Sequence, residues 1–95
     1  MKAIIGNKLY DTDKAERVIK YSKRVNKGPF LFNPKWTYCP AHNFGLYRTK
    51  KGAFFEHDEE DNTIQAITET QGKEIVRTLD PDKYMELFDE VVKEA

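Results

Sequence analysis

Cys39-Pro40-Ala41-His42, with His57-Asp58 downstream, is the grouping in this chain that comes nearest to a metal centre. Zinc takes four tetrahedral nitrogen or sulfur ligands in a structural site, or three plus water in a catalytic one. Cys39, His42 and His57 would supply three, and Asp58 a fourth. No second cysteine accompanies Cys39, and Cys-x-x-His is a short pattern, so a packed cysteine with surface histidines is the plainer reading. A cysteine–histidine nucleophile would need a thiol of lowered pKa and a base held by a third group. Cys39 stands before Pro40 instead of at a helix start, and no oxyanion-hole pattern follows it. The carboxylates of residues 56–61 could furnish an acid–base pair, but such a pair works in a deep cleft and a solvated acidic turn explains them better. Phosphate-binding glycine loops, HExxH and serine elbows are absent. The expectation is a non-enzymatic protein with no metal and no cofactor.

Charge and aromatic side chains offer binding chemistry instead. The formal net charge is zero, yet residues 1–51 carry twelve Lys and Arg against three acids, and residues 52–95 carry four against thirteen. Such asymmetry points to a charged partner, or to two halves that pack together and neutralise each other. On the basic side, Lys20, Lys23, Arg24, Lys27, Lys35, Arg48, Lys50 and Lys51 could neutralise phosphates. Phe30, Phe32, Trp36 and Tyr38 could stack on unpaired bases. On the acidic side, Glu56, Asp58, Glu59, Glu60 and Asp61, with Glu86, Asp89 and Glu90 of a final helix, could occupy a basic groove that normally holds nucleic acid. For both sets the competing reading is solvated surface over core aromatics.

These residues need elements to position them. Residues 2–5 and 8–10 flank Gly6-Asn7 and read as a hairpin. Asp11-Thr12-Asp13 supplies helix-capping chemistry, with Glu16 three residues after Asp13. Ala15, Val18, Ile19, Ser22 and Val25 then share one face at 3.6-residue spacing, which predicts a helix ending near Gly28-Pro29 with a basic outer face. Residues 30–43, rich in aromatics and broken by Pro34 and Pro40, read as an irregular loop. Residues 44–49 and 53–57 flank Lys50-Lys51-Gly52 as a second hairpin. Further strands are expected over 63–70, where a short helix is the alternative, and over 74–79. Asp80-Pro81 opens a last helix that buries Tyr84, Leu87, Phe88, Val91 and Val92. The predicted fold class is α+β: hairpin, helix, aromatic loop and about four further strands, the antiparallel sheet covered by two helices.

Ninety-five residues make one domain, and 39% hydrophobic content with 13% aromatics argues for a packed core over disorder. One cysteine excludes an internal disulfide, and no apolar run approaches the ~20 residues of a membrane span. The protein is expected to be soluble and cytoplasmic, as a monomer or homodimer.

The stretch Gly6-Asn7-Lys8-Leu9-Tyr10-Asp11-Thr12-Asp13-Lys14-Ala15 and the later Leu46-Tyr47-Arg48-Thr49-Lys50-Lys51-Gly52-Ala53-Phe54-Phe55-Glu56-His57 resemble a family of small proteins from phages, plasmids and integrative elements of Gram-positive bacteria. That family combines a G-K-x-Y-D-T-x-x-A opening, an L-Y-R-x-K-x-G-x-x-F-x-H hairpin and an acid-rich closing helix. Similar mobile-element proteins include anti-CRISPR inhibitors. The resemblance therefore implies a partner that is a bacterial defence nuclease, such as a CRISPR effector, or its guide complex. The matched residues specify a hairpin and a helix cap and bring no catalytic group. This chain departs from the pattern at Asp58-Glu59-Glu60-Asp61, where relatives carry glycine, and in the longer aromatic stretch 30–43. The primary expectation is a mobile-element inhibitor acting through a charged face. The alternative is a nucleic-acid-binding accessory protein that uses the basic first helix and the aromatic loop.

Overall fold

Antiparallel hairpins organise most of the chain, and the computed structural model describes residues 1–88. Strands β1 (Lys2–Ile5) and β2 (Lys8–Asp11) form an antiparallel hairpin. Gly6 and Asn7 sit at φ 55° and 68°, the left-handed pair that a tight two-residue hairpin turn requires. A four-stranded antiparallel sheet follows, made of β3 (Glu16–Arg24), β6 (Ala41–Arg48), β7 (Phe54–Asp58) and β8 (Thr63–Ile67), in that spatial order. Between β3 and β6 lies a third hairpin, β4 (Pro29–Phe30) with β5 (Asn33–Thr37). Helices α1 (Glu69–Leu79) and α2 (Pro81–Phe88) complete the fold.

The α+β class, the antiparallel sheet and its two covering helices are as the sequence predicts, but the helices are not the expected pair. Residues 16–24 form a strand where a basic helix was expected. The cause is a β-bulge at Val18: Arg17 faces Tyr47 and Ile19 faces Leu46, leaving Val18 as the extra residue. A bulge sets two consecutive side chains over one partner. Val18 is buried with Leu46 in the core, and Ile19 packs against the same cluster. In sequence, that adjacent pair reproduces the spacing of a helical stripe. The Asp11-Thr12-Asp13 capping chemistry is real but closes a turn: Asp11 Oδ1 accepts from the Asp13 N–H, and its carbonyl accepts from Lys14 and Ala15.

The second correction is at residues 69–79, where strands were expected over 63–70 and 74–79. Only β8 remains strand. Thr68 caps α1 in a reciprocal box with Gln71, each side chain satisfying the other's backbone N–H. Gly72 and Val76, one turn apart, face the sheet. A Cβ on Gly72 would lie 2.5 Å from Phe54 Cγ, so the helix backbone rests directly on that ring. The final helix starts as expected, with Asp80 Oδ1 accepting from the Lys83 N–H at 3.2 Å. It places Tyr84 in the core and Leu87 and Phe88 against it. Asp89, Glu90, Val91 and Val92 lie outside the described residues.

The two sheet faces are covered differently. Val18, Leu46 and Phe54 face the helices and form the core with Val76 and Tyr84. On the opposite face, Phe55 stacks on Tyr47 at 5.1 Å and meets Tyr10 of β2 edge-on at 5.5 Å, so the first hairpin closes that side. No helix among the described residues is long and apolar enough to cross a membrane.

Candidate functional site

The aromatic stretch expected as a loop is a β-ribbon. β3 and β6 continue pairing past the sheet: the Val25 N–H donates to Pro40, the Lys27 N–H to Tyr38 and the Tyr38 N–H to Gly28. Pro29 then faces Thr37, and Phe30 faces Asn33. Gly28, at φ 92°, supplies the bend between the two segments. At ~3.3 Å per residue the seven residues from Val25 to the tip at Leu31 reach roughly 20 Å beyond the last rung of the sheet. β4 and β5 pack chiefly on each other, so this arm stands clear of the body. At and near its tip Leu31 is 85% exposed, Phe32 87%, Trp36 65% and Tyr38 48%. No Asp or Glu occurs between residues 17 and 55, and Lys35 lies beside Trp36 on β5.

The acidic residues have a different setting. Glu56 is buried, and its Oε2 accepts from the Tyr21 hydroxyl at 2.6 Å and lies 2.6 Å from Lys23 Nζ. Burial first, then the hydrogen bond and charge of Glu56, push the Tyr21 phenol far above its ordinary pKa, so it stays a neutral donor. Asp58 is buried beside His42, whose Nδ1 lies 2.8 Å from Oδ2. Asp58 Oδ1 accepts from the Glu60 and Asp61 N–H groups. Burial alone would raise its pKa, but the His42 hydrogen bond, those backbone donors and the His42 charge together hold it below the usual carboxylate range. Glu60 accepts from the backbone N–H and side-chain amide of Asn43. Glu59 lies 3.6 Å from Lys20, and Asp61 pairs with Lys27. Glu56, Asp58, Glu59, Glu60 and Asp61, five of the eight carboxylates expected to face a partner, are therefore each engaged by the chain's own donors. Glu86 is exposed on α2, while Asp89 and Glu90 lie outside the described residues.

These ion pairs run between the basic and acidic halves of the sequence, so the linear charge separation is largely folded together around β3 and the 59–62 turn. The expected basic face divides as well. In a strand, Lys20 and Arg24 point to one side and Lys23 to the other. Arg24 donates to the Cys39 carbonyl at 2.9 Å. Lys35 and Trp36 are on the arm, whereas Arg48, Lys50 and Lys51 lie at the other end of β6.

The zinc donor set does not converge. His57 projects from the face opposite His42 and meets Asn62 Oδ1 through Nε2 at 2.9 Å. Among the described residues, the potential ligands that do cluster are His42, Asp58 and Glu60. Their oxygen atoms already accept from protein donors, and the cluster chemically resembles a lock on the β7–β8 turn. The Tyr21–Glu56–Lys23 group, which the sequence reading missed, borders a groove of about 770 Å³ between the sheet and α1. Only the strand register of β3 against β6 and β7 reveals that grouping. No family model, curated protein or solved structure matches the chain.

Proposed function

We propose that this is a non-enzymatic binding protein that docks its β-arm into a partner protein. Following the mobile-element resemblance of residues 6–15 and 46–57, the partner is a bacterial defence nuclease of CRISPR type or its guide complex, and docking inhibits it. The exposure of Leu31, Phe32 and Trp36 on one protruding ribbon carries the reading. Burying a large apolar side chain contributes about 2 kcal/mol, and aromatic anchors in a partner's pocket dominate interface energetics. A ribbon already hydrogen-bonded along its length loses little conformational freedom on binding. The acidic residues support a contact role less well, since their carboxylates serve internal pairs.

The test is cleavage by a panel of CRISPR effector nucleases with the full chain added in stoichiometric amounts. Inhibition by the native protein, lost in Phe32→Ser/Trp36→Ser while the thermal midpoint is unchanged, supports the proposal. Cleavage that persists across the panel, or a variant that inhibits as well as the native chain, overturns it. The second reading, arm binding to nucleic acid, draws on the carboxylate-free stretch 17–55 and on Lys35 beside Trp36. It requires that the native chain retard free oligonucleotide and that the same double variant abolish the shift.

A further inference from the structure

The end of the sheet away from the arm carries a second feature, which the inhibitor reading does not use. Five cations, Lys14, Arg48, Lys50, Lys51 and Lys73, line one cleft of about 600 Å³. They come from three separate places: the β2–β3 turn, the β6–β7 hairpin and the first turns of α1. Among the described residues two carboxylates share the cleft. Glu16 lies 4.0 Å from Arg48, and Glu69 lies 3.3 Å from Lys73. Among the described residues Lys14, Lys50 and Lys51 have no carboxylate at ion-pair distance, and all three are exposed. Like charges lining one cleft repel one another, and less so as salt rises. A concave wall focuses their field on any anion that enters.

The apolar floor narrows the ligand. Phe54 is buried, and Phe88 is overlaid by Arg48 at 5.7 Å and by Lys73 at 5.2 Å. With one ring buried and the other overlaid by cations, the cleft offers charge and little stacking surface. A ligand would be held by its phosphates and not by its bases.

We infer that this cleft is an anion site for a phosphate-bearing polyanion, recognised through Lys14, Lys50 and Lys51. The phosphates come either from a nucleic acid backbone or from a free polyphosphate, and two probes separate these sources. Tripolyphosphate and a single-stranded oligothymidylate are each titrated into the full chain, followed by amide NMR shifts and, for the oligonucleotide, by anisotropy across a salt series.

Shifts centred on residues 14, 48–52 and 73 are expected. Lys50→Glu/Lys51→Glu, on an exposed turn, should weaken binding by roughly tenfold or more. For the oligonucleotide it should also flatten the log–log salt slope by about 1.4, at ~0.7 for each of the two phosphates no longer neutralised. Lys14→Glu, from a separate turn, should weaken binding independently. Saturation by tripolyphosphate, with displacement of the oligonucleotide, assigns a free polyphosphate; saturation by the oligonucleotide alone assigns a nucleic acid backbone. The inference is overturned if neither probe binds at low salt, if the shifts fall on residues 31–38, or if both charge-reversal variants bind as the native chain does.

Discussion

β3 and β6 pass through two environments, and the same residue types behave differently in each. Within the sheet, Phe44 and Leu46 of β6 are buried; farther along the same ribbon, past Gly28, Leu31, Phe32 and Trp36 face solvent. Both halves are hydrogen-bonded across the ribbon, strand to strand. Only the first is flanked by further strands and by helices. Hydrogen bonding therefore sets the ribbon's conformation, while burial decides which part of it holds the protein together. The exposed side chains of the arm are therefore expected to contribute less to the stability of the fold than those of the sheet.

The largest break in that contrast comes from truncating each half in turn. Leu46→Ala should cost about 3 kcal/mol, since it removes a fully buried side chain and leaves a cavity. Phe32→Ser should stay within about 0.5 kcal/mol. Urea unfolding of both variants measures the difference, and equal costs would mean that the arm packs on the body.

A smaller effect distinguishes two glycines. Gly72→Ala should destabilise by about 1–2 kcal/mol despite alanine's better helix propensity, because the new methyl group meets the buried Phe54 ring. Gly28→Ala in the arm meets no atom within 4 Å, and its cost, about 1 kcal/mol, is backbone strain at positive φ alone. Hydrogen exchange should then show loosening throughout the sheet in the first variant and only in residues 25–40 in the second.

Acid sharpens the contrast least in size but most in kind. The depressed pKa of Asp58 contributes stability that is present above the ordinary carboxyl pKa and is lost as pH falls through the lower folded value. Thermal midpoints should therefore fall below about pH 4, the ordinary Asp range. Asp58→Asn should be less stable at neutral pH and flatter across that window. The arm has no carboxylate to protonate, so spectral changes of Trp36 should not track this titration.

The local features were legible in the chain. Gly6-Asn7, Lys50-Lys51-Gly52 and Asp80-Pro81 mark two hairpins and a helix start through backbone chemistry that neighbouring residues determine. β3 was not legible, because the Val18 bulge disguises a strand as a helical stripe. α1 was obscured by Ile75, Val76 and Thr78, β-branched residues in a helix stabilised by packing on Phe54. Thr68 and Gln71 stood at capping-box spacing all along and were the available signal. The partnering of Lys20, Lys23 and Lys27 with Glu59, Glu56 and Asp61 depends on strand register between distant segments. Composition carries no such information, so charges that look segregated in the chain meet in space.

The arm's prolines have a consequence of their own. A two-stranded ribbon has two open edges, and exposed apolar edges invite copies to zip together into fibres. Pro29 and Pro34 fall within the arm strands. Neither can donate a backbone hydrogen bond, which weakens the ladder that an incoming strand would have to build. Self-association through the ribbon is thereby discouraged while Phe32 and Trp36 stay exposed, and replacing these prolines is expected to increase aggregation.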